Sequence, residues 1–354
     1  MRTDIDVLLR TLVIRKASDL HFQAGSSPVF RINGELFFSD IKPMTAEEVE
    51  EYAYSVLSDV RKEQFNKNNY IDFSYVVPSI ARFRVNIYRQ QGNVGIAARV
   101  IPFEIPSLED LGLPSIVKDL VSKPNGLVIF AGPCGCGKTT SLAAIVNYIN
   151  TNFKKHIITI EDPIEFTHHN ASSVLNQREV GVDTESFAIA LKNALREDPN
   201  IILVGEMRDL DTISNAMTAA ETGHLVFATL HTSDAAQTID RIVDVFPAHQ
   251  QIQIRIQLGA VLKGVIVQSL LRKTDGSGRV AAFEIMTMTS GAKSLIKDGK
   301  TNQIYSLLQT GRQHGMQTLE SSLVELCKNG MVSVEEAKAK VNDLQAFEHL
   351  LEGH

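Results

Sequence analysis

The sequence predicts an α/β protein: a parallel sheet covered by helices, preceded by a smaller α+β domain. Three observations carry this expectation. Leu127-Val128-Ile129-Phe130-Ala131 is an unbroken apolar run of strand length. It opens into the glycine-rich turn Gly132-Pro133-Cys134-Gly135-Cys136-Gly137. Then Lys138-Thr139-Thr140 leads into a helical pattern of Leu142, Ile145, Val146 and Ile149. Strand and helix patterns keep alternating beyond this point, and that order folds as a parallel sheet.

From Gly132 to Thr139 the residues match the phosphate-binding pattern G-x-x-x-x-G-K-[ST]. Glycines let the backbone approach a phosphate chain, so that loop amides and the following helix N-terminus point at it. Lys138 is expected to reach the terminal phosphates, and the Thr139 hydroxyl to ligate Mg²⁺. The loop therefore predicts a nucleoside triphosphate as ligand, taken as ATP, with Mg²⁺ as cofactor. Gly132, Pro133, Cys134, Gly135, Cys136, Gly137, Lys138, Thr139 and Thr140 are its binding residues.

Composition narrows the class. The chain has 354 residues, 44% hydrophobic and 21% charged, enough for two domains. No apolar run approaches the ~20 residues that span a bilayer, and the opening Met1-Arg2-Thr3-Asp4-Ile5-Asp6 lacks the apolar core of a signal peptide. A soluble, cytosolic protein is expected. A net charge of −6 and the lack of tryptophan argue against a nucleic-acid-binding surface. Three cysteines, Cys134, Cys136 and Cys327, cannot build a Cys₄ zinc site or a disulfide framework. Cys134 and Cys136 lie at a helix N-terminus beside Lys138, a setting that favours thiolates.

Read in order, Ile5, Leu8, Leu9, Leu12 and Val13 at helical spacing predict an opening amphipathic helix. Strand patterns follow at 19–22, 29–32 and 35–38, the last two joined by the hairpin signal Asn33-Gly34. Thr45 with Glu48 forms a capping box for a helix to about Leu57. Three further strands are expected at 70–76, 81–88 and 94–101. Residues 1–100 thus read as an α+β domain with an antiparallel sheet, and 101–107, with Pro102 and Pro106, as a stiff linker. Residues 108–354 are expected to form the second domain, which carries the phosphate loop, opening with a helix over 108–121 capped by Ser107 and Asp110. Later strands are expected at 156–160, 201–204 and 225–230, helices at 186–196 and 210–221, and mainly helix after about 288.

Two acidic clusters follow buried strands, where open α/β sheets place their chemistry. Glu161-Asp162-Pro163-Ile164-Glu165 follows the first, and Gly205-Glu206-Met207-Arg208-Asp209 the second. Hydrolysis needs one carboxylate for the Mg²⁺ shell and another to orient or deprotonate water. Glu206 stands in the Walker B position as a metal-site residue; Glu165 is preferred over Glu161 as the water-orienting group. His231 also follows a buried strand, in the place of a γ-phosphate sensor, whereas the role of His224 stays open. Arg82 and Arg84 share one strand face, with Arg99 on the next strand; all three are candidate arginine fingers for a neighbouring subunit.

Four ordered stretches resemble the secretion ATPases of type IV pili and type II secretion, and within them the pilus retraction ATPases. They are the loop Gly132 to Thr140, the Asp box Ile160 to Phe166, the Walker B run Asp198 to Asp209 and the His box Thr222 to Thr232. Shorter matches are Ala17 to His21, Gln177 to Gly181 and Arg279 to Met286. The resemblance implies a Per-Arnt-Sim-like (PAS-like) N-terminal domain, a RecA-like P-loop ATPase domain and a helical C-terminal region. It also implies a homohexamer, an inner-membrane pilus platform protein as partner, and a cytoplasmic location peripheral to that membrane. Cys134 and Cys136 replace Thr and Ser of the family, Asn200 replaces an Asp, and Gly291 to Leu295 departs from the Ala-Ile-Arg motif. A pilus-extension or type II assembly ATPase would carry a four-cysteine insert that this chain cannot supply. A RecA-like nucleic-acid translocase conflicts with the acidic balance. A regulator that does not hydrolyse conflicts with Glu161, Glu165, Glu206 and His231.

Overall fold

The computed structural model describes residues 5–32, 34–78, 80–101 and 105–353. The chain divides into two compact units: Met1–Glu104 with Pro163–Thr167, and Ile105–Asp162 with His168–His354. Asn33 of the expected turn and residues 102–104 of the expected linker lie outside the described residues.

The first unit runs α1 (Ile5–Ile14), β1 (Asp19–Gln23), β2 (Val29–Ile32), β3 (Glu35–Phe38), α2 (Ala46–Ser55), α3 (Asp59–Asn68), β4 (Tyr70–Val77), β5 (Ala81–Gln90) and β6 (Asn93–Ile101). Its strands form an antiparallel sheet in the order β3-β2-β1-β6-β5-β4. The predicted capping box starts α2: Glu48 N donates to Thr45 Oγ1, and Thr45 N to Glu48 Oε2. Along β5, Phe83, Val85 and Ile87 are buried, while Arg82, Arg84 and Asn86 take the opposite, more open face. Helix α3 was not anticipated, because only Phe65 of its ten mostly polar residues is buried and no apolar period marks it. It stops where Asn69 turns left-handed at φ 63°.

The second unit runs α4 (Ile116–Val121), β7 (Gly126–Ala131), α5 (Lys138–Asn152), β8 (His156–Glu161), β9 (Val174–Glu179), α6 (Phe187–Ala194), β10 (Ile201–Val204), α7 (Leu210–Glu221), β11 (Leu225–Leu230), α8 (Ala235–Asp244), α9 (Gln251–Val261), β12 (Leu262–Arg272) and β13 (Arg279–Thr287). Five helices close it: α10 (Ser290–Lys297), α11 (Ile304–Thr310), α12 (Leu319–Lys328), α13 (Val334–Lys338) and α14 (Leu344–Glu352). The sheet order is β13-β12-β7-β11-β10-β8-β9. Six strands are parallel, but β13 pairs antiparallel with β12, so the sheet is mixed rather than wholly parallel. Strands β7, β10 and β11 are buried at every position, as strands covered on both faces must be.

The expected helix over 108–121 is shortened. Ser107 and Asp110 do exchange their capping hydrogen bonds, but Gly112 turns left-handed at φ +65° and Pro114 follows. Both oppose a continuous helix, and α4 begins only at Ile116. Among the described residues no helix is long and apolar enough to cross a membrane.

Candidate active site

The strand β7 delivers the chain to Gly132, and α5 begins at Lys138, so the loop between them bends within six residues. Glycine is required at two points. Gly132 has φ 140°, and a Cβ there would run into the Gln268 carbonyl and sit 2.6 Å from Cys136 Sγ. Gly137, the N-cap of α5, has φ 91°, and a Cβ would meet Gln268 Nε2 at 2.9 Å. Gln268, buried on β12, supports the loop from behind. Its Nε2 donates to Cys136 O at 2.8 Å and its Oε1 accepts from Ser141 Oγ at 2.8 Å. The outer part of the loop, Pro133, Cys134 and Gly135, is exposed, as is Thr139, while Thr140 is half-buried.

Lys138 is only 7% exposed, and its ammonium folds back onto the loop. It donates to Gly132 O at 2.6 Å and Pro133 O at 3.0 Å, with Cys136 Sγ at 3.7 Å and His231 Nδ1 at 3.4 Å. An ammonium only donates, so Nδ1 of His231 accepts and its Nε2 carries the proton. That Nε2 faces Glu206 Oε1 at 3.2 Å, and the other oxygen of Glu206 meets Arg208 Nη2 at 2.7 Å. Lys138, His231, Glu206 and Arg208 thus form one continuous chain across the carboxyl ends of β7, β11 and β10. Burial alone would raise the pKa of Glu206. Hydrogen bonds from Arg208 and His231 and the Arg208 charge outweigh it and hold the carboxyl below its usual value. Thr229 Oγ1 donates to Gly205 O and Met207 N to Thr229 O at 3.1 Å, which ties the Glu206 loop to β11.

Glu161 ends β8 and accepts from Thr159 Oγ1 at 2.7 Å and Gln177 Nε2 at 3.1 Å. Glu165 lies in the segment that joins the first unit, with Arg84 Nη1 at 3.8 Å. In that unit Arg84 also grips Asp72 through Nε at 3.0 Å and Nη2 at 2.6 Å. Arg82 donates to Ser74 Oγ at 2.7 Å and Thr167 Oγ1 at 3.0 Å; Arg99 donates to Asp19 Oδ1 at 2.7 Å. The loop, Glu206 and His231 therefore come together in the second unit. The three arginines and Glu165 belong to the first unit. His224 is structural in its contacts, with Nδ1 at 3.0 Å from Ala219 O. Asn200 accepts from His156 N at 2.8 Å, a backbone role that an Asp could also fill.

Sequence reasoning missed Gln268 and Arg208. The former gave no signal, being a single polar residue in an apolar strand. Arg208 was inside a quoted motif but had no visible partner. The expectation of thiolates in the loop is overturned for Cys136. Its side chain is 3% exposed, and burial pushes the thiol pKa up more strongly than Lys138 lowers it. Cys134 is exposed.

The donor set suits a magnesium nucleotide: a hydroxyl at Thr139 and carboxylates at Glu206 and Glu161 are hard oxygen ligands. The ammonium of Lys138 rests on two loop carbonyls, contacts that a phosphate chain would replace. A glycine loop, an invaginated lysine, an acid and a histidine at neighbouring strand ends define a RecA-like P-loop ATPase.

Residues 3–339 match the family described as type II/IV secretion system protein, and the chain belongs to that family. It is 47% identical over 344 residues to the type IV pilus retraction ATPase PilT of Pseudomonas aeruginosa, covering 97% of this chain and 100% of that one. It is 46% identical over 340 residues to the twitching motility protein of Neisseria gonorrhoeae, covering 96% and 91%. A crystal structure of the pilus retraction motor PilT with bound ADP superposes with a TM-score of 0.91 at 44% identity, over 98% of this chain and 99% of that one.

Proposed function

We propose that this chain is the ATPase motor that powers type IV pilus retraction. The observation that carries the chemistry is the linked chain Lys138–His231–Glu206 at the mouth of the phosphate loop. Loop amides and Lys138 would hold the phosphates of ATP. Thr139 and Glu206 would hold Mg²⁺, which when bound neutralises charge on the β- and γ-phosphates. Glu165, with Glu161 second, would orient the attacking water. His231 contacts both Lys138 and Glu206, so a change at the γ-phosphate end of the loop reaches the acid through one ring.

The first hundred residues, in a PAS-like domain, would offer Arg82, Arg84 and Arg99 to nucleotide held by an adjacent subunit of a homohexamer. Arg84 would have to leave Asp72 to do so. The platform protein of the pilus at the inner membrane is the proposed partner, with the motor on the cytoplasmic face and no direct nucleic acid contact. Steady-state ATP turnover measured together with native mass tests the reading. Turnover that Mg²⁺ chelation removes, in a six-fold species, is expected. Lys138→Ala should lose both nucleotide binding and turnover, and Glu206→Gln should lose turnover while still binding ADP. Normal turnover in Glu206→Gln would overturn the assignment of the acid.

A further inference from the structure

Helix α8 begins four residues after His231, so whatever holds its first turn also restrains that histidine. Asp234 is the N-cap, and its carboxylate accepts from Gln237 N at 2.7 Å. Thr232 Oγ1 lies 2.7 Å from Thr238 Oγ1, and Thr238 Oγ1 donates to Asp234 O at 2.7 Å, which folds residues 232–234 onto the helix. Ser233 Oγ also donates to Gln237 Oε1 at 2.9 Å, and a further tie comes from another element. Ala235 N, the first amide of the helix, donates to Glu284 Oε1 on β13 at 2.7 Å. Both residues are buried, Ala235 fully and Glu284 at 2% exposure.

A cavity of about 160 Å³ lies beside this contact, lined by Asp234, Glu284, Thr301, Asn302, Tyr305 and Asn342 among others. It leaves part of the space beside the α8 N-terminus unfilled, so packing restrains the turn less there and the hydrogen bond to Glu284 adds restraint from outside the helix. Retaining a buried carboxylate beside Asp234 costs stability, and an apolar residue on this strand would pack without that cost. Burial with one well-made backbone hydrogen bond fits a side chain kept for the geometry it imposes.

We propose that Glu284 is a positioning residue for ATP hydrolysis: by anchoring the first turn of α8 to β13 it sets the place of His231 between Lys138 and Glu206. It touches neither nucleotide nor metal and acts only through the helix. The inference rests on the reading of this site as an ATPase. It adds to that reading a mechanical connection from the antiparallel edge of the sheet to the phosphate-sensing histidine. Because β13 also carries Phe283, whose backbone N accepts no such role but donates to Ser322 Oγ at 3.1 Å, the same strand joins the C-terminal helices to this turn.

The test uses the full chain and three variants. Glu284→Gln keeps the acceptor oxygen and should hold kcat within about twofold of wild type. Glu284→Leu removes the acceptor and should lower kcat roughly tenfold or more, as small displacements of reacting groups do, with the affinity for ADP unchanged. Ala235→Pro deletes the donor instead. Proline is tolerated at the first position of a helix, and Asp234 already has the extended φ −150°, ψ 170° that a following proline demands. It should reproduce the kcat loss, with little further loss on adding Glu284→Leu. If Glu284→Leu does not fold, Ala235→Pro decides alone. Full kcat in Ala235→Pro, or a Glu284→Gln variant as impaired as Glu284→Leu, overturns the proposal. Wild-type protein without turnover would instead overturn the ATPase reading on which it stands.

Discussion

Replacing Gln268 by leucine tests how the phosphate loop is held. The substitution keeps the volume on β12 but removes one acceptor and one donor. Two buried groups then lose their partners: the Ser141 hydroxyl on α5 and the Cys136 carbonyl in the loop, each bonded to Gln268 at 2.8 Å. A buried polar group left unpaired costs about 1–3 kcal/mol, so the pair should cost about 2–6 kcal/mol. That is a large share of the 5–15 kcal/mol typical of a domain. Ser141→Ala alone strands only the Gln268 oxygen and should cost about 1–3 kcal/mol. Combined with Gln268→Leu it should cost clearly less than the sum, by about 1 kcal/mol or more, because the two residues share one hydrogen bond. Urea unfolding followed by far-ultraviolet circular dichroism reads the stability of the four proteins of this cycle. Since Cys136 lies in the loop itself, Gln268→Leu should also weaken ADP binding by roughly tenfold, the equivalent of one net hydrogen bond. Strict additivity of the two substitutions, or an unfolding midpoint unchanged in Gln268→Leu, would refute the clamp.

Three other outcomes are expected. Mixing inactive Lys138→Ala protein with inactive Arg84→Ala protein should restore part of the turnover if arginines reach a neighbour's site; no recovery at any ratio excludes sharing. Iodoacetamide should modify the exposed Cys134 well before the buried Cys136, with loss of turnover that Mg-ATP slows, and mass spectrometry of the peptides reads the order. Cys136 labelled first would contradict the burial argument. Glu284 should make stability depend on pH: burial pushes its carboxyl up to about 7, aided by Asp234 and Glu320 and opposed by the Ala235 amide. The folded state then holds a proton that the unfolded chain has released. Stability from this group is fully present below about pH 4.5 and is lost as pH rises through 7, on the order of 3 kcal/mol in all. Glu284→Gln should flatten thermal unfolding between pH 5 and 8, and an identical slope in both proteins would count against it.

The residues of the loop and its flanks were legible without a fold, because phosphate binding demands glycine, lysine and a hydroxyl at set spacing in consecutive positions. The same holds for Glu206, His231 and the capping box at Thr45, whose signals lie within a few residues of chain. Three-dimensional packing decided the rest. Nothing local shows that Gln268, more than a hundred residues beyond the loop, supplies its two supporting hydrogen bonds, or that Arg208 turns onto Glu206. Local sequence also suggested thiolate chemistry at Cys136, since a helix N-terminus and a lysine are visible in the chain while burial is not. The antiparallel course of β13 was hidden for a similar reason: Ala281 to Met286, apolar except for Glu284, reads the same in either strand direction, and only pairing with β12 selects one. A strand fixes direction through its partner's hydrogen bonds, and it is that direction which brings Glu284 to the first amide of α8.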